Sequence, residues 1–215
     1  MLRRQLLDSS NSRGRIVALL RRGHLTADEM AAELRLTAAA VRAQITAMER
    51  DGIVQRAGHR AGATRPSQLF ALTSEVEQLL SGAYVPLLIE LVRESAARLT
   101  PKDFRSLMRS TGKGLATAFP RSMGPDAPLA ARVNDVGALL NDQLGSTMEV
   151  QRSNGHYVLR ASGCPLAALT GHHPSVCTVV ESLIGTLVQA PVQECCDRTQ
   201  RPQCCFLVGQ GKGGR

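Results

Sequence analysis

The chain has 215 residues, 43% hydrophobic and 20% charged, with no tryptophan, two tyrosines and a formal net charge of +8. It is long enough for one large domain or two small ones, each with its own core. No run of about 18 apolar residues occurs, which excludes a helical membrane span. The N-terminus MLRRQLLDSSNSRGR also lacks the apolar stretch of a signal peptide, so a cytoplasmic location with reduced thiols is expected. The charge is unevenly placed: residues 1–70 hold twelve arginines against six acids, and the rest of the chain is nearly neutral. A basic first segment joined to a neutral remainder points to a polyanion-binding module attached to a second function.

In chain order, RIVALLRRG (15–23) gives one apolar helical face and stops at Gly23. In LTADEMAAEL, Thr26 and Glu29 stand at capping-box spacing and open a second helix. Thr37 caps a third helix, TAAAVRAQITAMERDG, with Val41, Ile45 and Met48 on its buried side and Gly52 as its stop. Two short helices about three residues apart, the second longer and polar outside, describe a helix-turn-helix. After Gly52 the pattern becomes a β-hairpin: a strand at Ile53–Arg56, a Gly/Arg-rich tip, and a strand at Gln68–Leu72. The residues expected to meet DNA are Thr37, Ala39, Ala40, Arg42 and Gln44 on the helix, with His59, Arg60, Thr64 and Arg65 at the tip. Small residues permit close approach, Gln44 is the best reader of a base edge, and Arg42 grips phosphate or pairs with a neighbouring acid.

The string LTADEMAAELRLTAAAVRAQITAMERDGIVQR, continued by GATRPSQLFALT, resembles the winged-helix domain of ArsR/DeoR-type bacterial transcription regulators over residues 12–82. That resemblance implies a dimer on an inverted-repeat operator in double-stranded DNA. One departure stands out: Arg35 occupies a turn position where those families have glycine, so a differently shaped turn is expected.

From Thr73 an apolar stripe runs through Val76, Leu79, Leu80, Leu87, Leu88, Leu91 and Val92, with Pro86 marking a break or a fresh helix start near residue 85. It suits dimerisation or ordinary packing. Residues 101–118, capped by Thr100, and 128–143 read as two more helices. GKG at 112–114 lacks the rest of a phosphate-loop pattern, so Lys113 is taken as a solvated side chain. TMEVQRSNGHYVLRASG (147–163) is a hairpin turning at Asn154-Gly155. A helix follows with Cys177 near its start, and residues 191–196 and 204–208 read as two closing strands.

Six cysteines lie at the edges of these elements, spaced Cys164-x12-Cys177-x18-Cys196-x7-Cys204, with Cys195 and Cys205 as doublets. The spacing is neither that of a zinc ribbon nor of a bacterial ferredoxin. Strand neighbours face opposite sides, so one cysteine of each doublet is expected to ligate. An iron–sulfur cluster, structural zinc, a disulfide redox switch and metal-free buried thiols all remain open on this reading. His172 and His173 are read as loop residues within sequence reach of the site, and Glu181 as a solvent-facing or supporting acid. No paired carboxylates, Ser/His/Asp set or Cys/His dyad stands in a credible context, so no catalytic residues are expected. A redox enzyme with an accessory DNA-binding domain is the less favoured alternative.

The pattern GCPL, HHPSVC and the final C.F.V is similar to the C-terminal sensor of SufR-type regulators, winged-helix proteins that hold an iron–sulfur cluster. The resemblance implies Cys164, Cys177, Cys196 and Cys204 as ligands of a 2Fe-2S or 4Fe-4S cluster, with zinc as the alternative. It also implies a repressor whose cluster-loaded form binds DNA better. The interval between the second and third cysteines departs from the SufR pattern. The combined expectation is an α+β protein: a winged helix-turn-helix at 1–73, linker or dimerisation helices at 74–100, and a mixed α/β cysteine sensor domain at 101–215.

Overall fold

The computed structural model describes residues 6, 8, 10–61, 66–120, 123–153, 155–198 and 202–209. The chain is α+β and divides into two compact units, Met1–Gly82 and Ala83–Arg215. No helix among the described residues is long and apolar enough to cross a membrane.

The first unit contains α1 (Ser12–Leu20), β1 (Leu25–Thr26), α2 (Ala27–Leu34), α3 (Ala38–Arg50), β2 (Val54–Arg60), β3 (Ser67–Leu72) and α4 (Ser74–Leu80). Local chemistry sets each helix start. The Asn11 side chain accepts from Gly14 N at the head of α1, and Thr37 Oγ1 accepts from Ala40 N at the head of α3. At α2 the Thr26 hydroxyl accepts from Glu29 N while Glu29 reaches back to Thr26 N, a complete capping box. Ile16, Val17, Met30, Val41, Ile45 and Met48 are buried with Phe70, Leu72, Val76 and Leu80 in one core. The sheet order is β1-β3-β2, all antiparallel. The two-residue β1 had no sequence signal of its own, since Thr26 serves both as its end and as the cap of α2.

Two expectations for this unit need correction. The first wing strand runs to Arg60, with a bulge between Arg56 and His59 and Gly58 at φ +96°, so His59 and Arg60 lie on a paired strand and not at the tip. Most of β2 is solvent-exposed on both faces, which leaves no alternating apolar pattern to read. Thr64 and Arg65 lie outside the described residues. The turn after α2 also keeps its left-handed shape: Arg35 sits at φ 56°, ψ 44°, with its N–H donating to Ala31 and Ala32 carbonyls. The turn therefore carries, on an arginine, the backbone cost that glycine avoids, about 1 kcal/mol. Arg35→Gly is expected to stabilise the unit by roughly 0.5–1 kcal/mol in chemical denaturation. No gain in the unfolding midpoint would contradict a strained left-handed arginine.

The second unit contains α5 (Tyr84–Arg98), α6 (Pro101–Ala118), α7 (Leu129–Leu144), β4 (Met148–Ser153), β5 (His156–Ala161), the single turn α8 (Ala167–Thr170), a 3₁₀ turn at Pro174–Val176, α9 (Cys177–Val188), β6 (Val192–Glu194) and β7 (Cys205–Val208). Pro86 falls in the first turn of α5, so the stripe from Val76 to Val92 is split between two helices, as the proline implies. Thr100 caps α6, its hydroxyl accepting from Asp103 N. The sheet order is β4-β5-β7-β6, antiparallel throughout. Ser153 pairs with His156 across the first hairpin turn, where Gly155 has φ +80° and Asn154 lies outside the described residues. α9 is apolar on most of its surface and is buried through Val180, Leu183, Ile184, Leu187 and Val188. Those side chains pack with Leu140 of α7 and with Leu159, Phe206 and Val208 of the sheet. A satellite core joins Phe104 and Met108 of α6 to Val176 and Val179. α6 crosses α9 closely at Gly112, where an added Cβ would fall on the Val179 carbonyl oxygen.

Candidate nucleic-acid interface and thiol site

The two candidate sites lie on separate units. In the first unit α3 buries Val41, Ile45 and Met48 and turns Ala39, Ala40 and Arg42 to solvent, with Gln44 half-exposed. Thr37 is exposed too, but its hydroxyl oxygen is already engaged in capping. Arg42 reaches back to Asp28 at 3.1 Å, and Arg60 pairs with Glu29 and donates to the His24 carbonyl at 3.2 Å. Both arginines are thus held by acids of α2. His59 is exposed on β2. The pairs are solvent-exposed and weak, on the order of 0–1 kcal/mol, so a phosphate can displace the carboxylates at small cost.

In the second unit four cysteines from separate places meet. Cys164 follows β5, Cys177 is the first residue of α9, Cys196 follows β6, and Cys204 precedes β7. Cys177 and Cys204 are buried, and Cys164 and Cys196 are half-buried. The thiols form a chain of contacts in which Cys177 faces Cys196, Cys196 faces Cys204, and Cys204 faces Cys164. Sulfur ligand atoms of Cys177 and Cys196 and a Glu194 carboxylate oxygen lie within 4.8 Å of one another. The backbone holds Cys196 in place: its N–H donates to Glu194 Oε1 at 2.6 Å, and its sulfur accepts from Cys205 N at 3.3 Å. Arg198 closes the end of the chain of thiols, bonded to Glu194 at 2.7 Å and interacting with Cys177.

The doublets divide between two jobs. Cys195 and Cys205 are joined in a disulfide, with Cα atoms 4.9 Å apart, while Cys196 and Cys204 remain thiols. A disulfide is the less favoured of the alternatives left open by the sequence, and it involves the one cysteine of each doublet not expected to ligate. It arises because Cys195 N donates to Cys205 O at 2.8 Å, which sets the two residues opposite each other on adjoining chain segments. Strand alternation then sends their neighbours to the other side.

The thiol chain polarises its members unequally. The Cys204 thiol donates to Cys164 and draws it down to about 7, against the opposing effect of burial. Cys204 is pushed up to about 12 because ionisation would forfeit that donation; Cys196 works the other way, and burial adds to the rise. Cys196, which Cys177 pulls down, nevertheless ends up at about 12 through its own bond to Cys204 and through burial. Cys177 is pushed up by donating to Cys196 and by burial, with Arg198 opposing. In metal-free protein with the Cys195–Cys205 bridge closed, Cys164 is expected to be the first thiol alkylated by iodoacetamide. The thiolate exists above the pKa, so its labelling rate should fall as pH drops through about 7. Peptide mapping that finds a midpoint at the ordinary cysteine value would contradict the contact with Cys204.

Two residues at this site escaped the sequence reading. Glu194 and Arg198 bracket the first doublet, Cys195-Cys196, four residues apart, and only their shared position beside Cys196 in ECCDR hinted at them. His173 lies elsewhere: its ring packs on Phe104 at a tilt of 53° with centroids 4.4 Å apart, and its buried Nδ1 has no hydrogen-bond partner among the described residues. Glu181 is half-buried, its carboxyl raised first by burial and then by the charge of Glu194, with Arg109 and Arg105 opposing.

The profile of the DprA winged helix domain matches residues 3–59, which takes in α1 to α3 and most of the first wing strand. The first unit carries a winged-helix domain. Among solved structures, Bacillus subtilis PadR in complex with operator DNA is similar at 12% identity, covering 82% of this chain and 99% of that one with a TM-score of 0.29. No curated protein matches the chain. Within the winged-helix domain α2 and α3 form the helix-turn-helix, with β2 and β3 as its wing. A donor set of thiolates with one carboxylate is chemically suited to zinc or an iron–sulfur cluster, both of which favour soft ligands.

Proposed function

We infer that the protein is a cytoplasmic transcription regulator, a repressor, whose grip on double-stranded DNA depends on an iron–sulfur cluster or zinc ion bound by Cys164, Cys177, Cys196 and Cys204. The observation that carries the reading is the run of contacts from Cys177 through Cys196 and Cys204 to Cys164, with Cys177, Cys196 and Glu194 grouped at ligand distance, in a chain that also has a winged-helix domain. Bound metal would supply one joint tether between the β5 end, the α9 start and both sides of the 196–204 loop. Its occupancy thereby sets the packing of the unit. The chain's own residues prepare the site: Arg198 offsets negative charge at Cys177, and Glu194 fixes Cys196 and offers a further oxygen. Ala39, Ala40, Arg42 and Gln44 would enter the groove, with His59, Arg60, Thr64 and Arg65 on the backbone.

A two-fold dimer on an inverted repeat fits α5, which buries none of its residues and leaves Tyr84, Val85, Leu87, Leu88 and Leu91 exposed. Leu87→Arg should then sediment as a monomer; an unchanged dimer would move the interface elsewhere.

The functional test is selection of duplexes from a random library, followed by affinity measurement with loaded and chelator-stripped protein. Loaded protein is expected to bind about 5–150-fold more tightly, a coupling of about 1–3 kcal/mol. Arg42→Ala with Arg65→Ala should abolish specific retention in both forms. Equal affinity of loaded and stripped protein would leave a DNA-binding protein with no sensor. A second reading, a regulator that senses redox state through thiols alone, draws on the Cys195–Cys205 disulfide.

A further inference from the structure

The disulfide ties the two ends of the segment whose first and last residues are Cys196 and Cys204. Cys195 is exposed, whereas Cys205 is buried at 9% exposure, so a reagent in solution reaches the Cys195 end of the bridge more readily. The bridge spans ten positions, and the isolated pair Asp197 with Gln203 continues the ladder within it. Cys205 N also donates to the Cys196 sulfur, so the bridged pair and the thiol site share a backbone contact.

We propose that Cys195–Cys205 is a redox-active disulfide, separate from the four thiols, whose opening by a dithiol reductant loosens Cys196 and Cys204 and lowers the metal affinity of the site. The inference rests on the reading of those thiols as metal ligands. In the step itself, a reductant thiolate attacks Cys195 Sγ. The Cys195–Cys205 bond breaks, and its electron pair leaves on Cys205 Sγ, which takes up a proton. The reductant's second thiol then displaces Cys195, leaving two protein thiols and one oxidised dithiol. Exposed bridges are the more exchangeable ones, and disulfides that form in reducing compartments are commonly transient and redox-sensing. Closed, the bridge holds the loop ends together before any metal arrives, so less ordering remains for metal to impose.

The full chain, stripped of metal, would be equilibrated with graded ratios of reduced and oxidised dithiothreitol, quenched with maleimide and mapped by peptide mass spectrometry. Zinc affinity would be read by competition with a chromophoric chelator for the closed form, the reduced form and the Cys195→Ser/Cys205→Ser variant. Cys195 and Cys205 are expected to gain label together, and zinc affinity to fall by about tenfold in both the reduced form and the variant. A pair that never closes in the full chain, or equal zinc affinity in all three forms, would overturn the proposal. Zinc bound by no form, with no iron–sulfur cluster taken up on reconstitution either, would sink the reading of the four thiols as ligands, and the control with it. The thiol map would still report on the pair independently of metal.

Discussion

Cys177→Ser is expected to weaken metal binding by more than about 100-fold, because even partners outside the ligand set are worth roughly 10–100-fold. Three observations make this the most sensitive position. Cys177 is buried, so a lost ligand there cannot be replaced by bulk water without opening the core. It is the first residue of α9, the helix whose other end packs on the sheet, so it links metal occupancy to the largest core of the unit. It also stands at the arginine end of the chain of thiols, where Arg198 balances its charge. Serine is nearly the same size and puts a hydroxyl in place of the thiol, so the apo fold should survive, as circular dichroism would show. Cys195→Ser alone should cost much less than Cys177→Ser, since Cys195 lies on the bridged side. Metal titration of the two variants in parallel makes the comparison, and equal losses would contradict the division of the doublets.

The second large effect separates two glycines two residues apart. Gly112→Ala is expected to destabilise the second unit by about 2 kcal/mol or more, while Gly114→Ala should stabilise it by up to about 1 kcal/mol. Both lie inside α6, where alanine is the better helix former. An added Cβ at 114 meets nothing within 4 Å. At 112 it meets the Val179 carbonyl and lies 2.8 Å from the Ser182 Cβ, both on α9, and the backbone there cannot rotate away as a flexible side chain would. Ser182 Oγ also donates to the Arg109 carbonyl at 2.8 Å, so separating the helices forfeits that bond as well. Thermal unfolding of the two variants reads the sign directly. A neutral Gly112→Ala would contradict the close helix crossing.

That pair also shows where sequence reading stops. GKG drew attention as a fragment of a phosphate loop, yet Gly112 is present for helix contact, a fact held in α9, some seventy residues away. Signals contained within a few residues were legible: the Thr26–Glu29 box, the caps at Thr37 and Thr100, Pro86 opening α5, and the turn at Gly155. The helix-turn-helix and both hairpins followed from them. Features that depend on a distant partner were not legible. β1 is defined only by Phe70 and Leu69 across from it, and the exposed half of β2 only by its ladder to β3. In the same way the thiol spacing named the cysteines, and the resemblance to SufR-type sensors favoured Cys196 and Cys204. The bridging of their neighbours and the roles of Glu194 and Arg198 required the register of β6 with β7.

The most direct measurement is the content of iron, acid-labile sulfide and zinc per chain in protein purified without air, beside its visible absorption spectrum. The account expects iron and sulfide in stoichiometric amounts with an iron–sulfur chromophore, or one zinc per chain, lost in Cys177→Ser and Cys196→Ser. Protein that carries none of the three, and takes up none on reconstitution, would contradict it.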